Sequence, residues 1–284
     1  MEIHLVDNIE NKLVNFLDPA LAEAKKARLA VAFMKHSGLA LIEGSLRECL
    51  GKGGEVEILV GLDFRTTEPK VLKMLLQLAS EGFSLRCYCF SEPSVGDTPV
   101  YHPKLYLLSD DEKARIIVGS SNLTAGGLKD NVEANLILIA GLEEEIVSDA
   151  YGLYNRLKFQ QKRFEPDLEY IEKYEEAYEV IQRKSFQALQ EKRTRRLIKE
   201  LKEKEKALPK PKPTIRELFG WQKLVYEKLP LGTFKTSDIY VYEEEFQKHY
   251  PENRNIKPKI RQVLQDLRDM GLLKYPRRET WIRL

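Results

Sequence analysis

Between residues 28 and 139 the chain switches hydrophobic period again and again, and that switching limits what it can fold into. "RLAVAF" (28–33), "EVEILVGL" (55–62) and "FSLRCYCF" (83–90) are short apolar runs of strand character. Between them, "HSGLALIEGSLRECL" (36–50) and "PKVLKMLLQLASEG" (69–82) carry apolar residues at the three-to-four spacing of a helix. Then "KLYLLS" (104–109), "ARIIVGS" (114–120) and "EANLILI" (133–139) follow one another with little room for helices. Strand–helix alternation that gives way to strands in succession predicts an α/β sandwich on a mixed sheet. Gly-rich joints such as "GKGG" (51–54) mark its turns.

From Glu143 the character changes. "EEEIVSDAYGLYNRLKFQQKRF" is amphipathic, with Ile146, Ala150, Leu153 and Leu157 on one face, and Pro166 ends it or starts the next helix. Residues 166–207 are charge-rich, with Leu168, Ile171, Tyr174, Tyr178 and Ile181 at three-to-four spacing. Fully helical, such a segment would reach about 60 Å, which suits a strut or a surface for a partner helix. "ALPKPKPT" (207–214) reads as a Pro/Lys linker. Beyond it, "IRELFGWQKLVYEKL", "TSDIYVYEEEFQKHY" and "KPKIRQVLQDLRDMG" predict three helices. Thr236 or Ser237 would cap the second, and Gly271 stops the third. "LLKYPRRETWIRL" predicts a terminal hairpin with a basic turn, completing a winged helix-turn-helix. The expected organisation is therefore 1–160, an α/β domain; 161–214, charged helical strut and Pro/Lys linker; and 215–284, winged helix.

A length of 284 residues with 43% hydrophobic residues allows sizeable cores without a disulfide or metal staple. The three cysteines, Cys49, Cys87 and Cys89, form no repeated pair and read as small buried hydrophobes in a reducing compartment. No run approaches the ~20 apolar residues of a membrane span, and the start "MEIHLVDNIENK" lacks a signal-peptide pattern. The expected location is cytoplasmic. The net charge of +2 is unevenly placed. Residues 1–159 hold 17 Lys and Arg against 23 Asp and Glu, a net −6, while residues 160–214 and 215–284 are each +4. A polyanion would be drawn to the C-terminal half.

The chemistry concentrates in "YHPKLYLLSDDEKARIIVGSSNLTAGGLKDNVEANL" (101–136). His102 and Lys104 lie two apart at a strand start, so both leave one face. Lys104 can neutralise a phosphoryl oxygen while His102 attacks phosphorus. Gly119, Ser120 and Asn122 follow the next strand, where a tight turn can offer hydroxyl, amide and backbone N–H to the same phosphate. Glu133 opens the following strand, where a carboxylate can hold an imidazole N–H and fix its tautomer. Taken singly, a histidine is more often structural and "GSSN" is an ordinary turn; the combination at adjacent strand ends favours function.

The set resembles the phospholipase D superfamily, whose signature is His-x-Lys, an Asp a few residues on, and Gly-Ser-x-Asn after the next strand. Here it reads "HPK" (102–104) and "GSSN" (119–122), with "SGL" (37–39) and "GGEVEILVGLD" (53–63) similar to the early segments. The signature's Asp would fall at Ser109, a departure shared with the superfamily's nuclease branch. The resemblance covers about residues 1–160 and implies His102, Lys104, Ser120, Asn122 and Glu133 as the catalytic set, Glu133 through that branch. The chain has only one His-x-Lys. In-line displacement needs a nucleophile on one side of phosphorus and a proton donor on the other, which one histidine cannot supply. The expectation is a homodimer with a composite site on its two-fold axis. No Asp/Glu/His cluster with metal spacing is visible, so no cofactor is expected and the reaction should survive EDTA.

In a winged helix the third helix enters the major groove and the hairpin touches the backbone or minor groove. Candidate readers are Lys257, Lys259, Arg261, Gln262, Gln265 and Arg268, with Arg277 and Arg278 on the wing. Ile260, Leu264, Leu267 and Leu272 read as core, as does Trp221. Trp281 fits either an exposed wing contact or a buried hairpin position. Residues 257–284 also resemble the winged helix of restriction enzymes that recognise methylated adenine, through "IRQVLQDLRDMG" and the closing aromatic strand. Pro276-Arg277-Arg278-Glu279 stands where those relatives often have glycine. The leading expectation is a restriction-type endonuclease acting on double-stranded DNA, with a methyltransferase or helicase as conceivable partner of a restriction system. The alternatives are a lipid phosphodiesterase or phosphatidyltransferase, a DNA-binding regulator with a degenerate site, and a winged helix that binds protein.

Overall fold

The computed structural model describes residues 1–63, 65–91, 101–159, 163–208, 214–251 and 253–284. They form two compact units, 1–195 and 196–284. The first contains β1 (Glu2–Val6), α1 (Val14–Glu23), β2 (Lys26–Val31), α2 (His36–Gly51), β3 (Glu55–Leu62), α3 (Pro69–Ser80) and β4 (Leu85–Ser91). It continues with β5 (Lys104–Ser109), β6 (Lys113–Gly119), β7 (Asn135–Gly141), α4 (Glu145–Lys158), β8 (Arg163–Phe164) and α5 (Leu168–Gln190). Helix α6 (Lys192–Ala207) crosses the boundary between the units.

The eight strands form one sheet in the order β1-β7-β6-β5-β2-β3-β4-β8. Strands β2, β3 and β4 run parallel, and the remaining pairs are antiparallel. The mixed sheet of an α/β sandwich is what the period switching predicted. Alternate residues supply two cores. Leu29, Val31, Ile58, Val60, Tyr106 and Leu108 pack with apolar residues of α1, α2 and α3. Ala30, Leu59, Leu105, Leu107 and Ile116 pack with Val147, Ala150 and Tyr154 of α4 on the other face. Every residue of β5 is buried, because helices cover both of its faces; that is why "KLYLLS" reads as a nearly unbroken apolar run. Cys49 and Cys89 are buried and Cys87 is half-buried, all as free thiols. Burial pushes the Cys49 thiol up, which keeps it protonated and unreactive.

The segment 161–214 is not a free strut throughout. Helix α5 starts at an Asp167 N-cap, whose carboxylate accepts from the Tyr170 N–H, and buries Ile171 and Tyr174 in the first core. Tyr174 Oη donates to the Thr67 carbonyl at 2.8 Å, and Lys73 reaches Glu175 at 2.5 Å. Ile171, Tyr174 and Tyr178 of the apolar stripe found in the sequence are thus the docking face of this helix, while Leu168 is exposed. Residues 209–213 of the expected linker lie outside the described residues. Among the described residues, no helix is long and apolar enough to cross a membrane.

The second unit contains α7 (Gly220–Glu227), β9 (Thr233–Lys235), α8 (Thr236–Tyr240), α9 (Glu243–His249), α10 (Ile256–Asp269), β10 (Leu273–Arg277) and β11 (Thr280–Arg283). Two expected helices are broken. The first divides into a short turn at Ile215–Glu217, closed by a Thr214/Glu217 capping box, and α7. The chain is extended at Leu218 and Phe219 between them, and Gly220 opens α7 at φ 53°, a conformation that suits glycine. The second divides at Val241–Tyr242, within an "IYVY" run of β-branched and aromatic residues that favour helix weakly. The hairpin gains a third strand, in the order β10-β11-β9. Val225, Ile239, Phe246, Ile260, Val263, Leu264 and Leu267 form the core, with Trp221 and Leu272 packed against it.

Candidate active site and DNA-reading surface

Sheet register brings the predicted catalytic residues to one edge. Lys104 opens β5 opposite Val31 of β2, and Val31 lies opposite Val60 of β3. Lys104 therefore sits at the carboxyl ends of the parallel strands, where open α/β sheets place ligands. Gly119 ends β6 opposite Asn135 at the start of β7, so Ser120 and Glu133 lie at the same edge. Asn122 joins them through the chain leaving β2, since its Oδ1 accepts from the Phe33 N–H at 3.3 Å.

His102 is exposed, while Lys104 is 7% exposed despite its charge. Lys104 Nζ lies 2.5 Å from His102 Nδ1 and 3.1 Å from Nε2, and donates to the His102 carbonyl at 3.0 Å. Burial pulls the Lys104 pKa down, and the nearby Glu133 carboxylate opposes that shift. Ser120 Oγ donates to Glu133 and accepts from the Ala134 N–H at 3.0 Å. Glu133 thus holds Ser120 within the chain, whereas the sequence suggested that it would hold an imidazole. Strand β7 starts two residues later than the sequence predicted, at Asn135, because the Glu133 N–H is taken by the Asp7 carbonyl at 3.0 Å.

A buried polar frame that sequence reasoning missed holds the Gly-Ser-x-Asn turn. Asn135 accepts from the Ser121 N–H at 3.3 Å and donates to Ser121 Oγ at 2.9 Å. Tyr106 Oη donates to the Ser121 carbonyl at 2.9 Å, and Asn8 Nδ2 to the Gly127 carbonyl at 2.8 Å. Asn8 and Asn135 looked like ordinary loop residues because their partners are distant in sequence. Gly38 gave the one signal, in the "SGL" segment. A Cβ there would lie 2.4 Å from the backbone of Leu123 and Thr124, so the start of α2 abuts the turn directly. Gly→Ala in a helix ordinarily stabilises by about 1 kcal/mol. Gly38→Ala should instead destabilise by about 1–3 kcal/mol through overpacking, read as a lowered Tm and lower activity.

Ser109, where the family signature has Asp, is buried at the far end of β5, with Oγ 2.9 Å from the Tyr151 hydroxyl. Neighbouring Asp110 caps the turn to β6, accepting from the Glu112 and Lys113 N–H groups at 2.9 Å. Both positions are structural and remote from His102. Among the described residues, no three His, Cys, Asp or Glu side chains cluster as a metal site.

In the second unit Arg261, Gln265, Arg268 and Arg278 line a cavity of about 280 Å³, together with Tyr275 and Trp281. Arg261 also donates to Tyr240 Oη at 3.0 Å, and Arg268 pairs with Asp269 at 2.8 Å. Lys257 pairs with Glu243 at 3.0 Å, and Lys259 donates to Gln262 Oε1 at 2.7 Å. Arg277 is exposed at the wing turn. Trp281 is buried; its indole N–H donates to Thr236 Oγ1 at 2.9 Å, and its ring lies 4.5 Å from that of Tyr275. The two options for Trp281 thus resolve to a buried hairpin position that also walls the cavity.

Residues 18–150 match the family described as cardiolipin synthase, PLD-like domain, and residues 222–281 match the Dam-replacing HTH domain. Solved structures similar to this chain include NucT from Helicobacter pylori, at 14% identity and TM-score 0.42, covering 55% of this chain and 94% of that one. Nuc from Salmonella typhimurium, a phospholipase D family member, is 17% identical with TM-score 0.45, covering 58% and 99%. Phosphatidylserine synthase from Haemophilus influenzae is 15% identical with TM-score 0.46, covering 66% and 46%. A comparison with curated protein sequences finds no match. Residues 18–150 are thus similar to a phospholipase D-like domain and residues 222–281 to a helix-turn-helix domain of the Dam-replacing type.

Proposed function

We propose that the protein is a metal-independent DNA endonuclease of the restriction type, with a homodimeric active site and with site selection by the winged helix. The observation that carries this is the convergence of His102, Lys104, Ser120, Asn122 and Glu133 on one sheet edge, with a single histidine among them. When DNA enters, Lys104 exchanges its imidazole contact for a non-bridging phosphoryl oxygen. The lone pair of a His102 ring nitrogen forms a bond to phosphorus as the P–O bond to the leaving oxygen breaks. The partner subunit's His102 gives that oxygen its proton. It then takes a proton from water, whose oxygen attacks phosphorus and displaces His102, closing the cycle. Both Lys104 side chains, with the Asn122 amide, stabilise the negative charge that builds on the phosphoryl oxygens. Glu133 holds Ser120 in place and supplies negative charge beside the cationic groups.

The winged-helix cavity supports selection of the site. Arg261, Gln265, Arg268 and Arg278 are the residue types that pair with guanine and adenine edges, and they share one concavity. Lys257, Lys259, Gln262 and Arg277 are assigned to backbone contacts, which fix register. Cleavage of supercoiled plasmid in EDTA tests this function. Nicked or linear DNA is the expected product. Hydrolysis of phosphatidylcholine vesicles with plasmid left intact would place the activity on lipid, and gel-shifted DNA without nicks would mark a regulator.

A further inference from the structure

We infer that the groove at the C-terminal end of α4, beside β4 and β8, holds an unpaired nucleotide of the DNA strand on which the protein acts. The inference rests on the DNA-directed function proposed above and adds a feature of its substrate. The groove has a volume of about 600 Å³ and lies at the end of the sheet opposite β1. Arg86, Lys158 and Arg163 bring cations to it, Tyr88 and Phe159 bring rings, and Glu165 brings a carboxylate. Two of the cations are fixed in place. Lys158 Nζ lies 4.7 Å from the centre of the buried Tyr88 ring and pairs with Glu57 at 2.8 Å. The Arg163 guanidinium lies 3.9 Å from the Phe90 ring centre and 4.5 Å from that of Tyr101. Phe159 stands apart from this packing. It follows α4 at 74% exposure, with Lys158 Nζ 5.3 Å from its ring centre.

A nucleotide matches each part of the groove. Aromatic side chains among cations hold single strands by stacking bases and neutralising phosphates. The base supplies a face for Phe159, the phosphate takes the exposed Arg86 guanidinium, and a base N–H can donate to Glu165. A base that is paired and stacked in a duplex has no free face to offer the ring, so the occupant is unpaired. The location also fits. Arg163 packs on Tyr101, which immediately precedes His102. Gly61 of β3 makes room there, since a Cβ would lie 3.1 Å from the Tyr101 ring. Phe164 of β8 shares a row with Lys104 through Cys89, Val60 and Val31. Four strand spacings are about 19 Å, the length of about six stacked nucleotides and of fewer unstacked ones. A strand held at Lys104 therefore reaches the groove within a few nucleotides.

Binding of a labelled single strand of about 12 nucleotides, and of the same sequence as a duplex, tests the inference on the full chain in EDTA. Every protein in the comparison carries His102→Ala, so that no strand is cut. Phe159→Ala and Arg86→Gln should each weaken single-strand binding about 10-fold, and Phe159→Trp should keep it. Duplex binding through the winged helix should be unchanged. Both altered side chains are exposed, so the Tm should not move. Free dAMP should displace the strand weakly, and glycerol 3-phosphate should not displace it. Equal single-strand affinity with and without Phe159→Ala and Arg86→Gln would overturn the groove as the site, whether or not plasmid is cleaved. Displacement by glycerol 3-phosphate as strong as by dAMP would overturn base recognition. Free dAMP that binds as tightly as the strand would overturn the strand as occupant. A wild-type protein that leaves plasmid intact, while the variants show the expected losses, would remove the endonuclease and retain the groove's ligand.

Discussion

His102→Ala should lower plasmid cleavage in EDTA by at least about 10³-fold, with the Tm unchanged. The side chain is exposed and its neighbour Lys104 keeps a backbone contact to the His102 carbonyl, so removing the ring disturbs no core. A factor of 10³ corresponds to about 4 kcal/mol of transition-state stabilisation. Loss of that size is expected because, in the proposed two-copy site, the ring would serve twice in each dimer, as nucleophile at phosphorus and as the proton donor to the leaving oxygen. Retained cleavage in this variant would remove the histidine from the chemistry altogether.

Lys104→Met should lower cleavage by about 10²–10³-fold, as removal of one preorganised charge-stabilising donor does, while the folded protein loses nothing in stability at pH 7. The sign follows from burial. Lys104 is nearly buried, and desolvation holds its pKa below that of an ordinary lysine despite Glu133. Folding therefore disfavours the charged form. That cost is fully present at pH below the folded pKa and fades as pH rises through it. Methionine removes the cost, so its Tm should equal or exceed the wild-type value at pH 7, with the difference shrinking in alkaline buffer. Cleavage by the wild type should decline on the alkaline side at a lower pH than the titration of a free lysine. A Lys104→Met protein that melts lower than wild type would show that the ammonium is held for structure.

The period switching carried the fold a long way. β3 falls at Glu55–Leu62 and β5 at Lys104–Ser109, matching the apolar runs residue for residue, because each lies deep in the sheet and is buried nearly throughout. What was illegible depends on distant partners. β1 is five residues that pair with β7, 129 to 137 positions away, and nothing local marks "EIHLV" as its partner strand. β9 likewise depends on its pairing with β11, 45 to 49 positions away, which no short window contains. At the candidate site, the placement of His102, Lys104, Ser120 and Asn122 at one sheet edge was legible because the motif sets them at the ends of successive strands. The frame of Asn8, Asn135, Ser121 and Gly38 was not, because polar residues that satisfy buried backbone groups look like loop residues until their partners are known. Glu133 falls between these cases. Its place at the sheet edge was read from sequence, and its bond to Ser120 was not.

The composite site is tested most directly by titrating wild-type protein with His102→Ala protein at constant total concentration, after the two have been allowed to exchange subunits, and measuring initial rates of plasmid cleavage in EDTA. If each cleavage needs one histidine from each copy, mixed dimers are inactive, and the rate should fall as the square of the wild-type fraction, to about one quarter at equal amounts. A rate that falls in simple proportion to the wild-type fraction, with subunit exchange demonstrated, would show that one His102 suffices and would contradict the two-copy mechanism.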